Sequence, residues 1–161
     1  PFDVYEYPYA RWRWKISNIY AKADPTRKDG DDYPIRIYIA FEYDPRMAGP
    51  VERVIFNATR LIYGEYPPSG ALNYAWSSKV MSERVISNPY TDRDKMIFLE
   101  KGSSRVGTWV DEEENILKDY EDIFGKKPPR HATVGIMNDS DNTKERSTSY
   151  IDFIEVYRAG E

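Results

Sequence analysis

The segment Asp139-Ser140-Asp141-Asn142-Thr143 is the most chemically loaded polar stretch of this 161-residue chain. Carboxylates and amides at alternate positions can converge on a hard cation, so Asp139, Asp141 and Asn142 are the candidate ligands for a calcium ion. The run opens like an EF-hand loop but does not continue as one. The sixth position, where that motif needs glycine, is Lys144, and the twelfth, where it needs glutamate, is Tyr150. The competing role is structural: Asp and Asn side chains accept hydrogen bonds from nearby backbone N–H groups and hold tight turns. A second acidic loop carries Asp24, Asp29, Asp31 and Asp32 around Pro25 and Gly30 and reads as solvated turn chemistry.

Other chemistries fall away quickly. Cysteine is absent, which removes disulfides, thiolate nucleophiles and Cys-ligated zinc together. His131 is the sole histidine, so a two-His zinc site cannot form and a Ser-His-Asp triad has little to build on. The sequence has no GxSxG, no GxxxxGK[ST] and no GxGxxG. Glycoside hydrolysis needs two carboxyls at a set separation across a groove, and Glu42, Asp44, Glu100 and Asp152 are the formal candidates. Nothing in the sequence brings two of them together, and exposed strand carboxylates serve solubility, so hydrolysis ranks below binding.

Carbohydrate binding asks for flat aromatic rings and for Arg, Asp and Asn to bond hydroxyls. Trp12, Trp14, Trp76 and Trp109 are present, but alternation turns most of them towards a core. The candidate ligand-binding residues are therefore Arg11, Arg13, Arg36, Tyr38 and Asn73, on the faces opposite the apolar ones. Their cooperation requires that their strands share one sheet surface.

Those residues must be positioned by strands. Tyr9 to Ile16 alternates, with Ala10, Trp12, Trp14 and Ile16 on one face and Arg11, Arg13 and Lys15 on the other. Tyr33 to Tyr43 is the strongest strand, β-branched and strictly of period two, with Ile35, Ile37, Ile39 and Phe41 opposite Arg36, Tyr38 and Ala40. Ala71 to Trp76 is a shorter one, and Lys95 to Lys101 is apolar on both faces, as an interior strand would be. Ala132 to Met137 and Tyr150 to Tyr157 flank the Asp139 loop and read as a hairpin. Between Gly49 and Gly64 the period changes. Val51, Val54, Ile55, Ala58, Leu61 and Ile62 form one helical face, expected to lie on a sheet or cap a sandwich. A second helix is expected to start at Asp111, with Glu112, Glu113 and Glu114 in its first turn and Gly125 after its end. Many strands with two short helices, not alternating one for one, predict a mainly β fold: an antiparallel β-sandwich forming a single domain over 1–161.

Composition narrows the partners. A net charge of −4 carries no nucleic-acid footprint. No run approaches the roughly 18 apolar residues of a membrane span. Aromatic residues make up 15% of the chain, with 14 tyrosines, a composition suited to strands and to binding faces.

An ordered set of segments resembles a bacterial family designated domain of unknown function 3047. They are Arg11 to Lys15 (RWRWK), the Asp-rich loop into DDYPIRIYIAF, Leu72 to Trp76 (LNYAW), Asn88 to Thr91 (NPYT), Gly107 to Val110 (GTWV), Asp119 to Gly125 (DYEDIFG) and Asp139 to Thr143 (DSDNT). The resemblance implies an exported protein, extracellular or periplasmic, and a jelly-roll-like sandwich similar to galactose-binding domains. It supplies no catalytic residue and no cofactor. Members of that family carry strands before the RWRWK segment, whereas here Pro1 to Pro8 precede it. The expectation that follows is a sheet edge completed by another chain or by a second copy. The reading as a whole is a non-catalytic binding module for carbohydrate or another polar polymer, with an assembly subunit and a glycosidase-like hydrolase as alternatives.

Overall fold

Strict alternation in YARWRWKI produces strand β2 (Tyr9–Ile16), whose residues alternate between half-buried and buried along its whole length. The computed structural model describes residues 1–160, and these form nine strands in two sheets. The larger sheet runs in the order β1 (Phe2–Asp3), β8 (His131–Asp139), β3 (Tyr33–Phe41), β4 (Gly70–Ser77), β6 (Thr91–Lys101), β5 (Val85–Asn88). The smaller sheet places β2 between β7 (Val110–Asn115) and β9 (Ser149–Tyr157). Helix α1 (Pro50–Tyr63) lies between β3 and β4 in the chain, and α2 (Ile116–Phe124) between β7 and β8.

The sheets face one another across one apolar cluster. Trp12, Trp14 and Ile16 of β2 meet Ile35, Ile37, Ile39 and Phe41 of β3 and Leu72, Tyr74 and Trp76 of β4. Trp12 and Tyr74 have ring centroids 5.3 Å apart, and Trp14 and Trp76 6.1 Å. The architecture is thus the mainly β sandwich that the patterning predicts, with two departures in topology. β4 and β6 pair in parallel, so the larger sheet is not purely antiparallel. The segments either side of the Asp139 loop are not a hairpin: β8 pairs with β1 and β3, while β9 pairs with β2 in the other sheet. The loop between them crosses from one layer to the other. Apolar composition identified both strands, but their partners are set by long-range packing that a local pattern does not encode.

The acidic run also differs from expectation. Residues 110–115 form an edge strand, and α2 starts later, with the Asn115 side chain accepting from Lys118 N at 2.9 Å as its N-cap. Because Trp12 pairs directly with Glu112, the Glu112 carboxyl turns towards the interior of the sandwich. There its Oε1, like the indole N–H groups of Trp12 and Trp14, makes no hydrogen bond of ordinary length and angle among the described residues, although the Trp14 indole is close enough to favour the charged carboxylate. Helix α1 departs in a third way. Phe56 packs inward, stacked on Tyr43 at 4.2 Å, but Val51, Val54, Leu61 and Ile62 are between 70% and 88% exposed. The apolar stripe predicted to cover a sheet faces outward. The glycine after the helix behaves as expected, taking φ of 85° and donating to Arg60 O.

Burial, with Glu100 nearby, raises the Glu112 carboxyl from 4.5 to about 7. Between those values the folded state holds a proton that the unfolded state has released. The contribution of this carboxyl to stability is therefore greatest below pH 4.5 and is lost as the pH rises through about 7. Glu112→Gln should flatten that decline. Well above pH 7 it should leave the variant more stable by about 1–2 kcal/mol, allowing for the solvent that still reaches the group. Urea denaturation of both proteins on either side of the interval measures the difference.

Candidate functional site

The outer face of the larger sheet, away from the tryptophan core, carries a groove of about 490 Å³. Period two dictates what it contains. Arg36, Tyr38 and Ala40 of β3 stand opposite Ala75, Asn73 and Ala71 of β4, and Ala71 stands beside Asp94 of β6. Small residues lower the floor at Ala40, Gly70 and Ala71, while Asp31, Asn88, Thr91 and Arg93 build the rim and Met137 closes one side. Tyr38 leans across β8 at Gly135, where an added Cβ would lie only 2.1 Å from Cζ of the tyrosine ring. That close approach is the physical reason for glycine in an otherwise apolar strand.

The polar groups of the groove are buried and only partly paired. Asn73 and Asp31 are each 6% exposed. Asn88 Nδ2 donates to Asp31 Oδ2 at 3.1 Å, while Asp31 Oδ1 makes no hydrogen bond of ordinary length and angle among the described residues, the Tyr33 hydroxyl being the polar group near it. The Arg36 side chain is 12% exposed; it donates through Nη2 to Asp139 Oδ2 at 3.1 Å and lies over the Tyr33 ring, with its Nε unpartnered. Burial raises the carboxyls of Asp31 and Asp94 above the ordinary range, against the pull of Arg36 on both. It raises Asp139 to about 6 for the same reason. A groove with such a floor offers hydrogen-bond donors and acceptors in a partly water-excluded setting, where each is worth more than on an open surface.

Three of the five predicted ligand-binding residues, Arg36, Tyr38 and Asn73, therefore come together. Arg11 and Arg13 do not join them. They project from the outer face of the smaller sheet, where Arg11 bridges Glu155 at 2.8 Å and Arg13 bridges Asp111 at 2.7 Å. Their strand lies in the other layer, and their charges are spent on neighbouring strands of a solvated face. Asp31, Asn88, Arg93 and Asp94 are groove residues that the sequence reading did not pick out. Asp94 alternates with Met96 and Phe98 along β6, a signal hidden by starting that strand at Lys95. Asp31 sits in a loop whose burial no local pattern reveals.

The Asp139 loop has a different organisation. Carboxylate oxygens of Asp32, Asp139 and Asp141 lie within 4.8 Å of one another. Asn142, the third predicted ligand, turns its Nδ2 to Asp32 Oδ1 at 3.0 Å, and Thr143 N donates to Asp32 Oδ2 at 2.6 Å. Burial alone would raise the Asp32 carboxyl, but these hydrogen bonds from Thr143 and Asn142 hold it below its ordinary value. Glu145 in turn accepts from Ala21 N and Lys22 N at 3.0 and 2.9 Å. These bonds fasten the loop to the segment before β3. A cation here would compete with Arg36 for Asp139.

Of the four formal hydrolase carboxylates, Glu42 and Asp44 line one depression together with His131, and the other two lie elsewhere. Asp44 bridges Arg46 and Glu100 bridges Arg105, Asp152 faces Arg13 on the other sheet, and Glu42 is exposed at the end of β3. None of the four lines the groove around Arg36, but Glu42 lines the depression that adjoins it.

A family model described as protein of unknown function (DUF3047) matches residues 1–155. The chain belongs to the DUF3047 family. No curated protein and no solved structure matches it. In this DUF3047 chain, no helix among the described residues is long and apolar enough to cross a membrane.

Gly135→Ala tests the seat of Tyr38. The added methyl must displace the ring or separate β3 from β8, at a cost of about 1–3 kcal/mol. Chemical denaturation should register the loss, and the Tyr38 ring resonances should shift in NMR spectra. An unchanged midpoint with unchanged Tyr38 resonances would show that the ring does not depend on this glycine.

Proposed function

We propose that this DUF3047 chain is a non-catalytic binding module for a neutral, hydroxyl-rich polymer, carbohydrate first among them, and that the groove on the larger sheet is its seat. The supporting observation is the convergence of Arg36, Tyr38, Asn73, Asp31 and Asp94 over a floor of Ala and Gly, with Asp31 Oδ1 and Arg36 Nε making no hydrogen bond of ordinary length and angle among the described residues. A sugar hydroxyl is both donor and acceptor, so it suits a lining that mixes guanidinium, amide and carboxyl groups. The lining carries Asp31 and Asp94, with Asp139 bridged to Arg36 at its border, against the charges of Arg36 and Arg93. That balance disfavours a polyanion. Family resemblance supports a location at the cell envelope or outside the cell. Hydrolysis stays the weaker alternative, because three of the four carboxylates considered for it, Asp44, Glu100 and Asp152, each face an arginine.

A glycan array followed by calorimetry on the best neutral ligand tests this reading. Arg36→Ala and Asn73→Ala should each weaken binding by about tenfold or more, the effect of leaving a buried polar contact unmade. Arg11→Ala and Arg13→Ala should leave it unchanged. Equal effects at all four positions, or no neutral glycan bound, would remove the groove from consideration.

A second reading, association between copies of the chain, is favoured by α1. Its exposed stripe of Val51, Val54, Leu61 and Ile62 is a contiguous apolar surface of the kind that marks contact sites. Sedimentation equilibrium at micromolar concentration should then reveal a dimer that Leu61→Glu dissociates, with the melting temperature little altered because Leu61 touches no core. A wild-type protein that remains monomeric throughout rules the association out.

A further inference from the structure

The groove does not end at Tyr38. A second depression, of about 480 Å³, shares Tyr38, Ala40 and Pro68 with it and continues along the outer face towards the end of β3. Its lining differs in kind. Tyr43, Tyr66, Pro67 and Pro68 give it flat apolar surfaces, with Thr133 and the carboxylate of Glu42 as its polar members. We infer that the ligand is an extended oligosaccharide occupying at least two adjacent subsites, one polar around Arg36 and Asn73 and one aromatic around Tyr43 and Tyr66. This inference rests on the groove being a carbohydrate seat and adds chain length to it.

The two halves match the two faces of sugar chemistry. Ring hydroxyls need the donors and acceptors of the first subsite, whereas the C–H faces of a pyranose stack on aromatic rings. Each depression falls within the size range of small-ligand sites, and because they share three residues a linked pair of units can pass from one to the other without leaving the surface. The aromatic half is also held in place before any ligand arrives. Tyr66 donates its hydroxyl to Asn57 Oδ1 at 2.9 Å, its ring lies 4.8 Å from that of Tyr43 and carries the Arg60 guanidinium 4.9 Å from its centroid, and Tyr43 in turn stacks on Phe56. A platform fixed in this way loses little side-chain freedom on binding. The arrangement also explains how α1 contributes: buried Phe56 supports the platform from the inner side of the helix and exposed Asn57 holds the Tyr66 hydroxyl at the surface.

Calorimetry with ladders of neutral oligosaccharides, built from glucose, mannose or N-acetylglucosamine and running from the single sugar to the hexamer, tests the second subsite. Affinity should rise about tenfold from the shortest bound unit to the tetramer. Tyr66→Ala should abolish that rise while leaving the shortest ligand bound as before, and Tyr66→Phe, which keeps the ring, should preserve it. A melting curve for each variant verifies that it is folded. Binding of a short ligand with no dependence on length, or a length dependence that survives Tyr66→Ala, overturns the aromatic subsite and leaves the polar one standing. If no member of any ladder binds, both readings fall.

Discussion

The contact between the tryptophans of β2 and the aromatic residues of β4 is the constraint on which the rest of the structure depends. Trp12 against Tyr74 and Trp14 against Trp76 join the two sheets through the largest side chains in the core. Burying such rings contributes more apolar area than any other residue type can supply. It also fixes the register. A slip by one residue in β2 would expose both indoles and bury Arg11 and Arg13. With the inner faces committed in this way, the outer faces follow without further choice: arginines and a lysine outward from β2, and Arg36, Tyr38 and Asn73 outward from β3 and β4.

The two outer faces then diverge for electrostatic reasons. On the smaller sheet each outward arginine meets a carboxylate on a neighbouring strand, Glu155 for Arg11 and Asp111 for Arg13, so the face is neutralised and flat. On the larger sheet Arg36 stands between Ala75 and Met137, Tyr38 between Asn73 and Gly135, and Ala40 opposite Ala71, so small residues leave the surface low on the β4 side. The loop that carries Asp31 and the hairpin that carries Asn88 rise beside this low ground and turn it into a groove. A second, smaller apolar cluster of Tyr33, Ala75, Met96 and Phe98 closes the end beneath Asp31. The register shift between Tyr33 and Arg36 brings Tyr33 to this side, where Arg36 lies over its ring.

Much of this was legible in the chain itself. Period two in β2, β3 and β4 assigned inner and outer residues correctly, and the change to period 3.6 located both helices, because these signals are local. Partnership between strands was not legible. The segments flanking the Asp139 loop look like a hairpin until it is seen that β8 fits beside β3, where Val134 pairs with Ile39, and that β9 fits beside β2, where Ile154 pairs with Trp12. The acidic run at 111–114 imitates a helix cap because Asp and Glu favour helix N-termini, yet the backbone there pairs with β2 and the helix is capped at Asn115 instead of Asp111. For the same reason Arg11 and Arg13 could be recognised as outward-facing but not assigned to a sheet. Asp31 escaped notice because its burial depends on Asn88, 57 residues away.

Burial of carboxyl groups is the cost that the outer groove imposes on the fold, and its pattern bears on what the groove is for. Asp31, Asp94 and Asp139 all sit where desolvation disfavours their charged forms, with Arg36 as the common cation that opposes the effect. A structural role alone would be met better by apolar residues of similar volume, since an imperfectly paired buried charge is a liability to stability. Asp32 shows what a structural carboxylate looks like in this same protein: both of its oxygens accept hydrogen bonds from the Asn142–Thr143 loop. Asp31, next to it in the chain, has one oxygen without a hydrogen bond of ordinary length and angle among the described residues and lines the groove. The contrast between these adjacent residues separates the part of the acidic cluster that fastens a loop from the part that is available to a ligand.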